Sequence, residues 1–158
     1  MSTRQPTTLQ DQPMPVRAKL AAAWTSFMFL YAYVDILNFF TPGVIEEILA
    51  GKVFEFDLSQ TFSTTALTLM AVPIFMVFLS MTLPATVSRI ANLVVASLYI
   101  PVTAFNATGE SWLLFYGLGV VLEVVLLVLI LRYAWTWPRT APSATSPDRD
   151  IVRAQQQA

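Results

Sequence analysis

Polar residues divide this chain into four long apolar stretches: Leu20 to Phe40, Phe62 to Leu83, Val87 to Ala107 and Trp112 to Leu131. Each is about twenty residues, the length of helix that crosses a hydrocarbon core about 30 Å thick. Breakers bound the gaps: Thr41-Pro42-Gly43, Leu83-Pro84 and Thr108-Gly109-Glu110. Pro lacks an N–H and Gly tolerates unusual torsions, so both end helices. The pattern predicts an all-α membrane protein, a four-transmembrane-helix bundle. The first stretch exceeds a signal-peptide core of about 7–15 residues and no small-x-small cleavage pattern follows it, so it reads as an uncleaved span.

Within the spans the polar residues recur at helical spacings. Trp24, Tyr31, Asp35 and Asn38 follow one another at seven, four and three residues; Asn92, Tyr99, Thr103 and Asn106 repeat those intervals. Thr61, Thr65 and Thr68 mark one face of the second span, and Trp112, Tyr116, Gly119 and Glu123 one face of the fourth. Three and four are the neighbour spacings of an α-helix. Unsatisfied polar groups in hydrocarbon cost several kcal/mol, so each stripe is expected to turn inward. At a rise of 1.5 Å per residue, Asp35 lies roughly 8 Å below the outer end of its span and Glu123 roughly 16 Å into its own. The polar groups crowd the outer half, above an inner half that is apolar except for Asn92 and Ser80. This predicts an outward-facing polar pocket closed below. Pro73 and Pro101 fall near the midplane and free the carbonyls of Leu69 and Ser97; ordinary kinks are the simpler reading of both. Gly117 and Gly119 are expected to allow close helix approach.

The first outer loop carries its own pattern. Thr41 is placed to cap a helix beginning at Pro42, with Val44, Ile45, Ile48 and Leu49 on one side, Glu46 and Glu47 at its positive end and Gly51 to stop it. A short amphipathic helix lying at the outer surface is expected. Val53 to Leu58 then alternates apolar and acidic residues, as an extended segment does. The organisation read from the chain is a disordered tail over 1–17, a membrane domain over 18–135 and a second disordered tail over 136–158.

Composition narrows the function classes. Of 158 residues, 56% are hydrophobic and 12% charged, with a mean hydropathy of +0.62. A soluble domain carries about twice that charge. The net charge of −1 leaves no basic footprint for nucleic acid. Without Cys or His, disulfide exchange, zinc clusters, histidine-ligated haem and a Ser-His-Asp relay are excluded. No cofactor and no metal site is expected. Eight of the nine basic residues precede the first span, lie at the second connection or follow the fourth span; Lys52 is the exception. The positive-inside rule then places both termini in the cytoplasm. Trp24, Trp112, Trp135 and Trp137 are assigned to span ends, where interfacial aromatics sit.

Asp35 and Glu123 are the ionisable residues inside the spans. Such burial costs about 2.5–3.5 kcal/mol on insertion scales and marks a functional site by default. The structural alternative is a protonated Glu123 donating to Tyr99 or to the carbonyl freed by Pro101, as interhelical glue.

The run Phe29-Leu30-Tyr31-Ala32-Tyr33-Val34-Asp35-Ile36-Leu37, then Thr41-Pro42-Gly43-Val44-Ile45-Glu46-Glu47-Ile48-Leu49-Ala50-Gly51, with the Leu83-Pro84-Ala85 turn, resembles a family of small bacterial four-helix integral membrane proteins of unknown function. The resemblance covers roughly residues 18–135. It implies the fold and a bacterial inner-membrane location, and no activity. Small multidrug transporters share only the size: their membrane glutamate lies in the first span, where this chain has Asp35. Four-span thiol oxidoreductases and claudin-like proteins need cysteines that are absent.

The expected function is binding or transport of a small molecule or ion through the outward polar pocket, with proton linkage as one form of it. Asp35 and Glu123 are the charged candidates, and Tyr31, Asn38, Tyr99 and Asn106 shape the pocket. Besides membrane lipid, the expected partners are a second copy in a homodimer or a larger membrane complex. The alternative is a non-catalytic accessory subunit of such a complex. A membrane enzyme acting on lipid ranks last, because the chain lacks His, Cys and a metal-carboxylate motif.

Overall fold

The computed structural model describes residues 13–53, 56–106 and 112–138. Of the tails expected over 1–17 and 136–158, residues 1–12 and 139–158 lie outside the described residues, as does the breaker at Thr108-Gly109-Glu110, while residues 16 and 17 already belong to the first helix. Four long helices carry the fold: α1 (Val16–Asn38), then, after a short helix α2 (Val44–Leu49) and a hairpin β1 (Lys52–Val53) and β2 (Phe56–Asp57), α3 (Gln60–Thr82), α4 (Ala85–Asn106) and α5 (Leu113–Trp135). Each long helix is long and apolar enough to span a membrane.

Local chemistry sets the helix ends. Ser59 caps α3, its Oγ accepting from the Phe62 N–H at 3.1 Å, so the helix starts before the apolar run does. Leu83 is extended, as the residue before a proline must be, and that ends α3. Two residues later α4 runs back antiparallel. In the loop, α2 starts at Val44 and not at Pro42. Gly43, at φ +93°, is its N-cap, and Thr41 makes no side-chain cap. Gly51, at φ +79°, ends that helix as the sequence predicts. The alternating segment folds back on itself, with Lys52 opposite Asp57 and Val53 opposite Phe56.

α1 packs on α3 and α5, and α4 on α5, which leaves α1 and α4 diagonally opposed. The start of α1 meets the end of α3, where Arg17 Nη1 donates to the Met81 carbonyl at 2.7 Å. The start of α4 meets the end of α5, where Arg89 Nε donates to the Ala134 carbonyl at 3.1 Å. Both carbonyls belong to last turns, which have no intrahelical donors left. Arg17, Lys19, Arg89 and Arg132 therefore gather at the end of the bundle that carries the chain termini; α2 and the hairpin occupy the other end.

The core lies in the termini-bearing half. It comprises Leu20, Trp24, Phe27 and Tyr31 from α1, Met76 from α3, Ala96 and Tyr99 from α4 and Leu127, Ile130 and Ala134 from α5. Buried positions on α1 stop at Tyr31, and those on α3 run from Pro73 to Ser80 only. Beyond these points toward the loops, α1 and α3 keep only half-buried or exposed residues. At the loop end α3 has no buried residue, while α1, α4 and α5 stay joined, with Thr103, Tyr116 and Gly119 buried. Two assignments change accordingly. Thr61, Thr65 and Thr68 are exposed, because the face of α3 that packs carries Pro73, Met76 and Ser80. Trp24 is fully buried in the core and is not interfacial, because its N–H has a polar partner across the bundle.

Candidate functional site

Two polar layers cross the bundle. The lower one is complete in itself. Asn92 Oδ1 accepts from Trp24 Nε1 at 2.7 Å and from Ser80 Oγ at 3.1 Å, while Nδ2 donates to the Ser88 carbonyl at 2.7 Å. Ser88 Oγ donates to the Ser80 carbonyl at 3.3 Å. All four residues are fully buried. A network whose buried donors and acceptors are matched to one another fixes helix register and leaves no group for a ligand.

The upper layer is built from the stripes of α1, α4 and α5. Asn106 Nδ2 donates to the Tyr31 hydroxyl, and Tyr116 donates to Asn38 Oδ1. Tyr99 donates to the Leu69 carbonyl, the group that Pro73 strips of its helical partner. Its ring meets Trp24 and Phe27 edge to face, closing the floor of the layer over the core. The carboxyls behave differently. Glu123 is buried on α5, within electrostatic range of Asp35 and Tyr31. Thr103 on α4 is fully buried beside it, its hydroxyl at the limit of hydrogen-bond reach of the carboxyl. Asp35 is exposed one helical turn above Tyr31. Tyr31 accepts from Asn106, which leaves its own proton to donate.

The upper layer brings Tyr31 together with Asn106 and within electrostatic range of Asp35, Glu123 and Tyr99, and joins Asn38 to Tyr116 about two turns above Tyr31. Tyr31, Tyr99 and Glu123 are buried within it, Asn38 is half-buried, and Asp35 and Asn106 are exposed at its rim. The Tyr, Asn and backbone groups are largely spent on one another. Among the described residues the two carboxyls have no cationic partner, and no Lys or Arg occurs between residues 90 and 131 or 20 and 51. Among the described residues, no three His, Cys, Asp or Glu side chains converge as a metal site would need.

Residues 15–144 match a family described as being of unknown function. The chain belongs to DUF6326. That match takes in all four long helices and both polar layers, as expected for a small four-helix membrane protein. No curated protein and no solved structure matches the chain. Membership in DUF6326 therefore assigns no chemistry, and the site must be argued from its own residues.

Sequence reasoning did not assemble the lower layer, although Ser80 and Asn92 stand out as polar breaks in apolar runs. Their partner Ser88 lies one helical turn before Asn92, and that spacing was the available signal. Nor did it join Tyr99 to the carbonyl freed by Pro73, which needs the relative height of two helices. Glu123 finds Thr103 instead of the Tyr99 or Pro101 partner expected for it. Only Gly119 of the two span-four glycines makes a close approach: a Cβ there would lie 3.2 Å from Val34 Cγ2, whereas Gly117 faces open space.

Proposed function

We propose that this protein binds, and passes or senses, a proton or small cationic solute at the Asp35–Glu123 pair. The observation that carries this reading is the buried Glu123 carboxyl beside the buried Thr103 hydroxyl, at the end of the bundle where α3 has no buried residue. Asp35 at the rim is the entry carboxylate and Glu123 the inner one. Tyr31 supplies a hydroxyl proton between them, and Asn38, Tyr99 and Asn106 hold the walls. A cationic ligand would supply the charge that the surrounding protein lacks, and Thr103 would offer it an oxygen.

In this reading the protein sits in a bacterial inner membrane with both termini in the cytoplasm. The four basic residues gathered at the termini-bearing end support that orientation. The chain has no cysteine, so single substitutions test it cleanly. Glu47→Cys should react with an impermeant maleimide added outside intact cells, and Ser146→Cys only after lysis.

The functional test is proton flux in proteoliposomes carrying an internal pH dye, with thermal shifts in sodium and in tetraphenylphosphonium beside it. Wild type should show a flux or a shift that Asp35→Asn and Glu123→Gln both abolish. If both variants match wild type in every assay, the reading fails. One feature favours the accessory-subunit alternative: Thr61 and Thr65 are exposed on α3, which suits a polar face covered by another membrane helix. Co-purification of a stable partner that Thr65→Leu releases would support it.

A further inference from the structure

The termini-bearing end holds four cations, and they are not used alike. Arg17 and Arg89 are committed to the last-turn carbonyls of α3 and α5. Lys19 and Arg132 are committed to nothing of the kind. Neither has an ion-pair partner among the described residues. Both line one open cleft of about 520 Å³ between α1 and α5, floored by Val16 and Leu129 and edged by Tyr133 and Thr136. Lys19 Nζ stands 5.7 Å above the Tyr133 ring, which keeps the ammonium over the cleft.

A second open cleft of about 470 Å³ lies on the other side of α5, against α4. Arg132 and Thr136 line this one too, so Arg132 stands where the two meet. Its other walls are Leu93, Ser97, Val128, Leu131 and Trp135. From Trp135 to Val128 this furrow descends about 10 Å along the helix, into hydrocarbon depth. Among the described residues no carboxylate lines either cleft.

We propose that this end of the bundle is a binding site for one anionic phospholipid. The headgroup phosphate rests on Lys19 and Arg132, and an acyl chain lies in the furrow between α4 and α5. Two uncompensated cations, one of them a guanidinium that can hold phosphate oxygens in pairs, select for an anion. The apolar furrow beginning at the same Arg132 selects for one that carries a hydrocarbon tail, which a free phosphate does not. Interfacial Trp135 and Tyr133 set the depth at which the headgroup lies.

The test uses the purified full-length chain, released from nanodiscs of equal parts phosphatidylcholine and phosphatidylglycerol, with retained lipids counted by native mass spectrometry. Wild type should retain phosphatidylglycerol in preference to phosphatidylcholine. Arg132→Gln should lower that preference about fivefold, and the pair Lys19→Gln with Arg132→Gln about twenty-fivefold. Lys52→Gln, at the opposite end, should leave it unchanged, and Arg132→Lys should keep most of it. Equal retention of the two lipids by wild type overturns the proposal, as does a double variant that keeps the preference. Should the Gln variants fail to fold, wild type decides: raised sodium chloride before release must weaken the preference, and a salt-insensitive preference overturns it. Millimolar inorganic phosphate should leave the lipid in place. If phosphate strips it, the site takes a free anion and the lipid assignment falls.

Discussion

Replacing Asn92 with Leu isolates what the lower polar layer does. The amide oxygen accepts two bonds from other helices or turns, Trp24 Nε1 and Ser80 Oγ, and the amide nitrogen serves Ser88 on its own helix. Leu keeps the branched outline but its methyls are bulkier than the amide, so overpacking adds to the lost hydrogen bonds, and the double-mutant cycle below isolates the bond itself. In membrane bundles such a bond is worth about 0.6 kcal/mol on average and about 1.7 at most. Two of them, with the Trp24 and Ser80 donors left unsatisfied in a fully buried layer, set the cost of Asn92→Leu at about 1–3 kcal/mol. Because α1 and α4 are diagonal, the Trp24–Asn92 bond is a direct tie across the bundle centre. It should appear as a coupling of about 1 kcal/mol in a double-mutant cycle with Trp24→Phe. The assay is unfolding of purified protein in mixed micelles by titrated dodecyl sulfate, followed by far-ultraviolet circular dichroism. A coupling below about 0.3 kcal/mol, within the scatter of independent sites, would refute the reasoning. So would an Asn92→Leu protein as stable as wild type.

Three further outcomes follow from named contacts. Tyr99→Phe should cost about 1 kcal/mol by orphaning the Leu69 carbonyl, and distinctly less in a Pro73→Ala background, where the restored helical N–H takes that carbonyl; equal costs in both backgrounds would break the link. Gly119→Ala should destabilise by about 1 kcal/mol or more, because stiff Val34 stands 3.2 Å from the new methyl, while Gly117→Ala should be neutral or slightly stabilising. Thermal unfolding of the two variants side by side checks this. Glu123→Leu should raise stability by about 1–2 kcal/mol over wild type, since the burial cost of the carboxyl outweighs its contact with the Thr103 hydroxyl. A drop of several degrees would instead make Glu123 interhelical glue and move attention to Asp35.

The architecture was legible because the bilayer reduces the problem to length and apolarity, and breakers such as Leu83-Pro84 mark where helices must stop. The repeated spacing of seven, four and three in the first and third spans already put Tyr31, Asn38, Tyr99 and Asn106 on inward stripes. Periodicity reports a face, however, and not what the face meets. It gave Thr61, Thr65 and Thr68 the same status as those stripes, yet the packed face of α3 is the adjacent one, set by Pro73, Met76 and Ser80. It treated Trp24 as interfacial because indoles collect near span ends, whereas an acceptor on the diagonal helix lets this one be buried.

The sequence by itself determined how many helices cross, where they turn and which end collects the positive charge, because each depends on the order of residues along one strand of chain. The tertiary structure alone decided the pairings: Asn92 with Trp24, Tyr99 with a carbonyl thirty residues away, Glu123 with the Thr103 hydroxyl. It also decided that Arg17 and Arg89 are spent on helix ends while Lys19 and Arg132 stand over clefts. A hydrogen bond depends on distances of a few tenths of an ångström between separate helices. Their relative height and rotation are fixed only when all four pack together.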